Sequence, residues 1–171
     1  MHLRLARPAD AAILPGLEQS AGLAFRADRE IAWLADAANR SVARYREIVA
    51  EGWSWIAEGE RAGPVAFAAA TLESEELHLW ELAVHIDYQR QGIGRALLQR
   101  LLFEAAAAAI PAVTLTTFRD LRWNAPFYRS MGFELVNPGQ LDPRLVGLLA
   151  EEAGKGLPAA RRCAMRRRML A

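Results

Sequence analysis

Gln89-Arg90-Gln91-Gly92-Ile93-Gly94 joins features that suit a phosphorylated ligand. The apolar run ending at Val84 predicts a strand, and the stretch from Gly94 predicts a helix. A short polar loop between such elements gathers first-turn N–H groups and the positive end of a helix at one point, which attracts phosphate. Gly92 and Gly94 keep side chains away from a diphosphate approaching the backbone, while Arg90 and Arg95 add charge at the rim. Two glycines spaced by one residue also suit a plain strand-to-helix turn, so the spacing alone leaves both readings open. A dinucleotide fingerprint needs a third small residue where Leu97 stands, and a P-loop needs Lys-Ser or Lys-Thr, which this loop lacks.

The elements that must position this loop read as an α/β mixture. Leu3 and Leu5 alternate with Arg4 and Ala6 as a first strand, and Asp10 is placed to cap a helix carrying Ile13, Leu14 and Leu17, which Pro15 delays or bends. Two helical pieces follow, Ile31 to Ala38 and Val42 to Ala50, the second with Ser41 as cap. Trp53 to Glu58 and Pro64 to Leu72, joined by the polar turn Gly59 to Gly63, predict a hairpin, and Leu77 to Val84 predicts a third strand. The helix from Gly94 to Ala109 carries Leu97, Leu98, Leu101 and Leu102 on one face and stops before Pro111. Val113 to Phe118 predicts a strand, Asn124-Ala125-Pro126 opens a helix that ends at Gly132, and Phe133 to Val136 predicts another strand. Asp142-Pro143 starts a helix through Glu152, and Arg161 to Leu170 is a final strand-like segment.

Composition narrows the function further. The chain has 171 residues, 53% hydrophobic and 24% charged, which suits one globular domain over 1–171 without a large disordered region. Lys+Arg 21 against Asp+Glu 20 is far from the balance of a dedicated nucleic-acid binder. Lys155 is the only lysine, and the remaining cations are guanidinium groups fitted to phosphate. Cys163 is alone, so neither a disulfide nor a cysteine metal cluster is expected. The start Met1-His2-Leu3-Arg4 has no signal-peptide core, and the apolar runs fall short of the roughly 20 residues that span a bilayer. A cytoplasmic protein with no membrane and no nucleic-acid partner is the expectation.

Two motifs together resemble the GNAT superfamily of N-acetyltransferases. Leu82-Ala83-Val84 followed by Gln89-Arg90-Gln91-Gly92-Ile93-Gly94-Arg95 is similar to the family's [QR]-x-x-G-x-[GA] loop behind its fourth strand. Asn124-Ala125-Pro126-Phe127-Tyr128 with Met131-Gly132-Phe133 resembles its later segment, in which a tyrosine lies four residues before Gly-Phe. The resemblance runs from about residue 3 to 168 and implies an α/β (α+β) fold, with a central, mostly antiparallel mixed sheet of about six to seven strands flanked by helices. The fourth and fifth strands splay apart in that family and the pantetheine arm lies between them.

The resemblance implies acetyl-CoA as co-substrate and no metal. Leu82, Ala83 and Val84 match the strand backbone that meets the pantetheine and polarises the thioester oxygen, and Gln89, Arg90, Gln91, Gly92, Ile93, Gly94 and Arg95 match the pyrophosphate loop. Tyr128 matches the proton donor to the departing thiolate. Asn124 reads either as a hydrogen-bond partner of the CoA arm or as a helix cap, since the family's more common asparagine falls where this chain has Leu121. Glu81 and His78 are the candidate general bases, Glu81 first, with a water chain as the alternative; three residues apart on a strand, they face opposite ways unless a bulge intervenes.

The acceptor is expected to be a primary amine of a small molecule, attacking directly in a ternary complex. Ser20 to Trp33, Trp53, Trp55, Trp80 and Trp123 are candidates to line its site, although core packing accounts for most of the tryptophans. Asp28, Glu30 and Asp36 could attract an ammonium or serve only as a solvated face. Relatives that acetylate protein N-termini carry an acidic residue where this chain has Thr116, which weighs against a protein or peptide acceptor. A non-catalytic acyl-CoA sensor is the remaining alternative, and the sheet edges allow a homodimer.

Overall fold

In a computed structural model that describes residues 1–169, the chain forms five α-helices and seven strands among the described residues. In chain order these are β1 His2–Leu5, α1 Leu14–Gly22, α2 Val42–Ala50, β2 Trp55–Gly59, β3 Gly63–Glu73, β4 Glu76–Val84, α3 Ile93–Ala107, β5 Ala112–Phe118, α4 Ala125–Ser130, β6 Glu134–Leu135, α5 Pro143–Gly154 and β7 Arg162–Arg168. The sheet order is β1-β2-β3-β4-β5-β7-β6, antiparallel except that β4 runs parallel to β5. This is the mixed α/β sheet that the resemblance implies. The β4–β5 ladder comprises Leu77↔Val113 and His78↔Thr114, and the later residues of β4 lie past its end. Leu170, in the expected last strand, lies outside the described residues.

The residues fall into two compact units. One holds Met1–Glu73 and Leu79–Glu104, the other Ser74–His78 and the chain from Ala105 on. In the first, Leu14 and Leu17 of α1 and Ile48 and Val49 of α2 pack with Ile56, Phe67, Ala69 and Ala83 of the strands around Tyr45, whose ring meets Phe67 edge-on. Fully burying each such aliphatic side chain stabilises the fold by about 1.5–3 kcal/mol. Ser41 caps α2 as expected, its Oγ accepting from the Arg44 N–H at 3.1 Å.

Asp10, expected to cap the first helix, does not. Its carboxylate is held by both terminal nitrogens of Arg4, at 2.7 and 2.9 Å, and accepts from the Arg7 N–H at the head of a short 3-10 turn, Pro8–Ala12. Pro15 supplies the reason. It sits in the first turn of α1, where its missing N–H costs nothing, so the helix proper starts at Leu14. The helical piece expected over 31–38 is a 3-10 helix, Ala32–Asp36, closed by i to i+3 bonds such as Leu34 N–H to Ile31.

In the second unit β5 and β7 pair from Ala112↔Arg168 to Phe118↔Arg162, and Val113, Leu115, Phe118, Met131, Phe133, Leu145 and Met165 are buried. Asp142 caps α5 by accepting from the Leu145 N–H at 2.9 Å, with Pro143 in the first turn. Gly132 ends the α4 segment at φ +83, a left-handed conformation that suits glycine, and the Phe133 N–H then reaches back to the Tyr128 carbonyl.

Candidate functional site

In the first unit, the run after β4 turns sharply before entering α3. Arg90 has φ +62 and Gly92 φ +82, and the Gly92 carbonyl accepts the first helical bond from Ala96. A Cβ at Gly92 meets no atom within 4 Å, so the backbone conformation, and not crowding, is what asks for glycine there. The first-turn N–H groups of a helix have no carbonyl of their own helix to bond, and here they open on Ile93 and Gly94. Arg90, Gln91 and Arg95 are exposed around them. Gln89 fastens the loop: its amide donates to the carbonyls of Val84 at 3.0 Å and Ala21 at 3.4 Å. Ile93 is buried beneath the loop, and Gly94 sits over Val84 and Leu82. Along the end of β4, Ala83 points into the core while Leu82 and Val84 remain partly exposed. His85 is a loop residue, its ring accepting from the Asp87 N–H.

Glu81 stands three residues before this segment's end in a set of polar groups that the sequence did not flag. Arg40 donates from one terminal nitrogen to Glu81 Oε2 at 3.1 Å and to Glu18 Oε1 at 3.3 Å. The Arg40 backbone N–H and the Tyr45 hydroxyl both donate to Glu18 Oε2, at 3.3 and 2.6 Å. Burial and then the nearby Glu81 charge push the Glu18 carboxyl up to about 7, despite the Tyr45 and Arg40 contacts pulling it down. Burial and the two carboxylates also push the Tyr45 hydroxyl far above the usual phenol range, so it stays a donor. Neighbouring Trp80 is packed, its indole N–H on Thr71 at 2.7 Å and Arg44 over its ring. Trp55 is buried under Arg100, whereas Trp33 and Trp123 are exposed.

His78 has a different set of partners, among them Thr114 and Arg144 of the second unit. It is buried, with Nδ1 2.9 Å from the Thr114 hydroxyl and 3.0 Å from Arg144, which also donates to Thr114 at 3.1 Å. A guanidinium can only donate, so Nδ1 accepts and the neutral ring carries its proton on Nε2. Arg144 and Arg166 both face Glu76, and Arg166 also holds Asp142 at 2.9 Å. His78 therefore sits beside a set of two arginines and two carboxylates, Glu76 and Asp142.

Tyr128, half-buried on α4, has its ring edge-on to Phe127 and Phe133 at 5.2 and 5.7 Å between centroids. Asn124 occupies the cap position of α4, but its side chain turns away from the helix. Its Oδ1 accepts from the Thr117 hydroxyl at 2.6 Å and the Phe118 N–H at 3.4 Å, tying α4 to β5. The helix-cap reading of Asn124 is corrected accordingly. Thr116, neighbour to this pair, donates to Glu152 Oε1 at 2.5 Å, and Arg162 holds the other oxygen at 2.9 Å. Sequence reasoning missed Glu152: nothing local marks a carboxylate on α5 that reaches β5.

The family model described as Acetyltransferase (GNAT) domain matches residues 50–135, half of the chain and the segment holding both the loop and Tyr128. The [Ribosomal protein bS18]-alanine N-acetyltransferase of Escherichia coli K12 is 37% identical over 68 residues, 40% of this chain and 46% of that protein, so the match spans about half of the relative's length. Among solved structures, PaiA N-acetyltransferase from Thermoplasma acidophilum, in complex with coenzyme A, superposes with a TM-score of 0.71 at 14% identity over 98% of both chains. The ribosomal-protein-S18-alanine N-acetyltransferase from Escherichia coli superposes with 0.68 at 19% identity, covering 99% of this chain and 96% of that one. At these identities the superpositions establish the fold.

Proposed function

The chain belongs to the GNAT acetyltransferases, and from that premise we propose that it moves an acetyl group from acetyl-CoA to a primary amine by direct attack in a ternary complex. The observation that carries this reading is the loop entering α3, with left-handed backbone at Arg90 and Gly92 and a helix N-terminus behind it. Its backbone and its exposed arginines take the pyrophosphate, and the β4 backbone from Leu82 to Val84 takes the pantetheine arm and the thioester oxygen.

Glu81 takes a proton from the acceptor ammonium. The freed amine attacks the thioester carbon, the C–S bond breaks, the thiolate takes the Tyr128 hydroxyl proton and the nitrogen releases its extra proton to water; the proton held by Glu81 then passes through solvent to restore the Tyr128 hydroxyl, so that one proton leaves overall. Glu81 is preferred to His78 because the His78 Nδ1 already accepts from Arg144 and the ring is buried.

A small-molecule amine is the first reading of the acceptor. A second, the N-terminal amine of a protein, is favoured by two observations. The bS18-alanine enzyme is the relative that shares 37% identity over 68 residues. Glu152 also brings a carboxylate onto Thr116, the position where the resemblance calls for an acid. Incubating the protein with acetyl-CoA and a panel of small amines and of peptides, while following free thiol, tests both. Thiol release with peptides alone selects the second reading, and tight CoA binding with no turnover on any acceptor overturns catalysis in favour of a sensor.

A further inference from the structure

Glu81 is not an isolated carboxylate, and the groups around it come from α1 and from α2 with its leading residues. Arg40 leads into α2, Tyr45 lies within it and Glu18 is on α1. One guanidinium serves two carboxylates, and those two repel each other. We propose that Glu18 and Arg40 are positioning residues for Glu81: Arg40 governs how readily Glu81 takes the acceptor's proton, and the charge on Glu18 governs how much of Arg40 Glu81 feels. The inference rests on the reading of Glu81 as proton acceptor.

The physical argument is one of sharing. With Glu18 ionised, the positive charge of Arg40 is divided between two anions, and the Glu18 charge itself favours protonation of Glu81. With Glu18 protonated, Arg40 faces a single anion, pairs with it more strongly and makes the Glu81 carboxylate a weaker proton acceptor. The groups that face Glu18 are the Arg40 side chain and backbone N–H, the Tyr45 hydroxyl and Glu81. Because Glu18 is pushed up to about 7 by burial and by Glu81, the exchange between these states falls at neutral pH. Tyr45, kept a donor, holds the Glu18 oxygen at 2.6 Å in either state.

Glu18→Gln fixes the neutral state with nearly the same shape. The test is kcat against pH, from about pH 5 to about pH 9, for the wild type, E18Q, Y45F and E81Q, with CoA affinity measured for each. The wild type should gain activity through an ionisation near 7, the value to which Glu18 is pushed. In E18Q that rise should vanish, with kcat above it down about tenfold and CoA affinity unchanged. Tyr45→Phe removes a bond that favours the charged form of Glu18, so the rise should move to higher pH. A structural role alone would change the amplitude and leave the position of the rise in place.

Identical pH profiles in the wild type, E18Q and Y45F, with E81Q nearly inactive, overturn this inference and leave Glu81 as the base. Wild-type turnover by E81Q overturns the base assignment and the inference with it. If E18Q fails to fold, the shift in Y45F still decides.

Discussion

Strand β4 carries His78 and Glu81 three residues apart, and their surroundings are built on different plans. Around Glu81 one arginine is shared by two carboxylates, Glu81 and Glu18. Around His78 two arginines are matched by two carboxylates, Glu76 and Asp142, and one of the arginines donates to the ring itself, which occupies Nδ1. The difference is that the arginine at His78 occupies a ring nitrogen, whereas the arginine at Glu81 is divided between two carboxylates. Histidine is the commoner choice for a base near neutral pH, yet the proposed assignment places Glu81 ahead of it.

The largest test of this contrast is direct replacement. Glu81→Gln should lower kcat by about 100-fold with CoA affinity intact, whereas His78→Gln, which can still accept from Arg144, should lower it by about threefold or less. Steady-state kinetics on the two folded variants decides, and the reverse ranking would break the comparison. Tyr128→Phe comes next, with a loss of about tenfold in kcat, since its ring packing against Phe127 and Phe133 survives and only the hydroxyl goes. Turnover unchanged at every pH would reject its role as proton donor.

Some of this was legible in the chain, and the division has a physical cause. The loop and the Tyr128 helix leave local marks, because a left-handed turn asks for Gly92 and a helix end asks for Gly132. The partners of Glu81 leave none. Arg40 lies 41 residues from Glu81 and 22 from Glu18, and Tyr45 lies 27 from Glu18, so each reads singly as an ordinary helical or loop residue. Asp10 and Asn124 show the converse error. Both have the composition and position of helix caps, yet Arg4 holds the one and Thr117 the other, through contacts that local pattern does not encode.

The same contrast should appear in stability, with opposite signs. The folded state holds the Glu18 proton more tightly than the unfolded chain does, its carboxyl moving from 4.5 to about 7. Stability from this group is therefore full below the unfolded value and is lost as pH rises to the folded one. Glu18→Gln should leave stability unchanged near pH 5 and raise it near pH 8, by at most about 3 kcal/mol, read as a shift in denaturant midpoint. A variant less stable than wild type at the higher pH would show that the cluster holds its charges comfortably and would remove the strain that the sharing argument requires.

Asp142 supplies the opposite case and the smallest effect. Burial pulls its carboxyl upward, but the Leu145 N–H, Arg144 and Arg166 outweigh it and hold the group below its usual value. Its contribution is present above the unfolded value and is lost as pH falls through the folded one. Asp142→Asn keeps a good helix cap on α5 and removes only the charge. It should cost about 0.5 kcal/mol at neutral pH after solvent screening, and the cost should fade in acid and shrink with added salt. A cost that persists unchanged in acid would assign Asp142 to capping alone, and the arginine-rich surroundings of His78 would then owe nothing measurable to that ion pair.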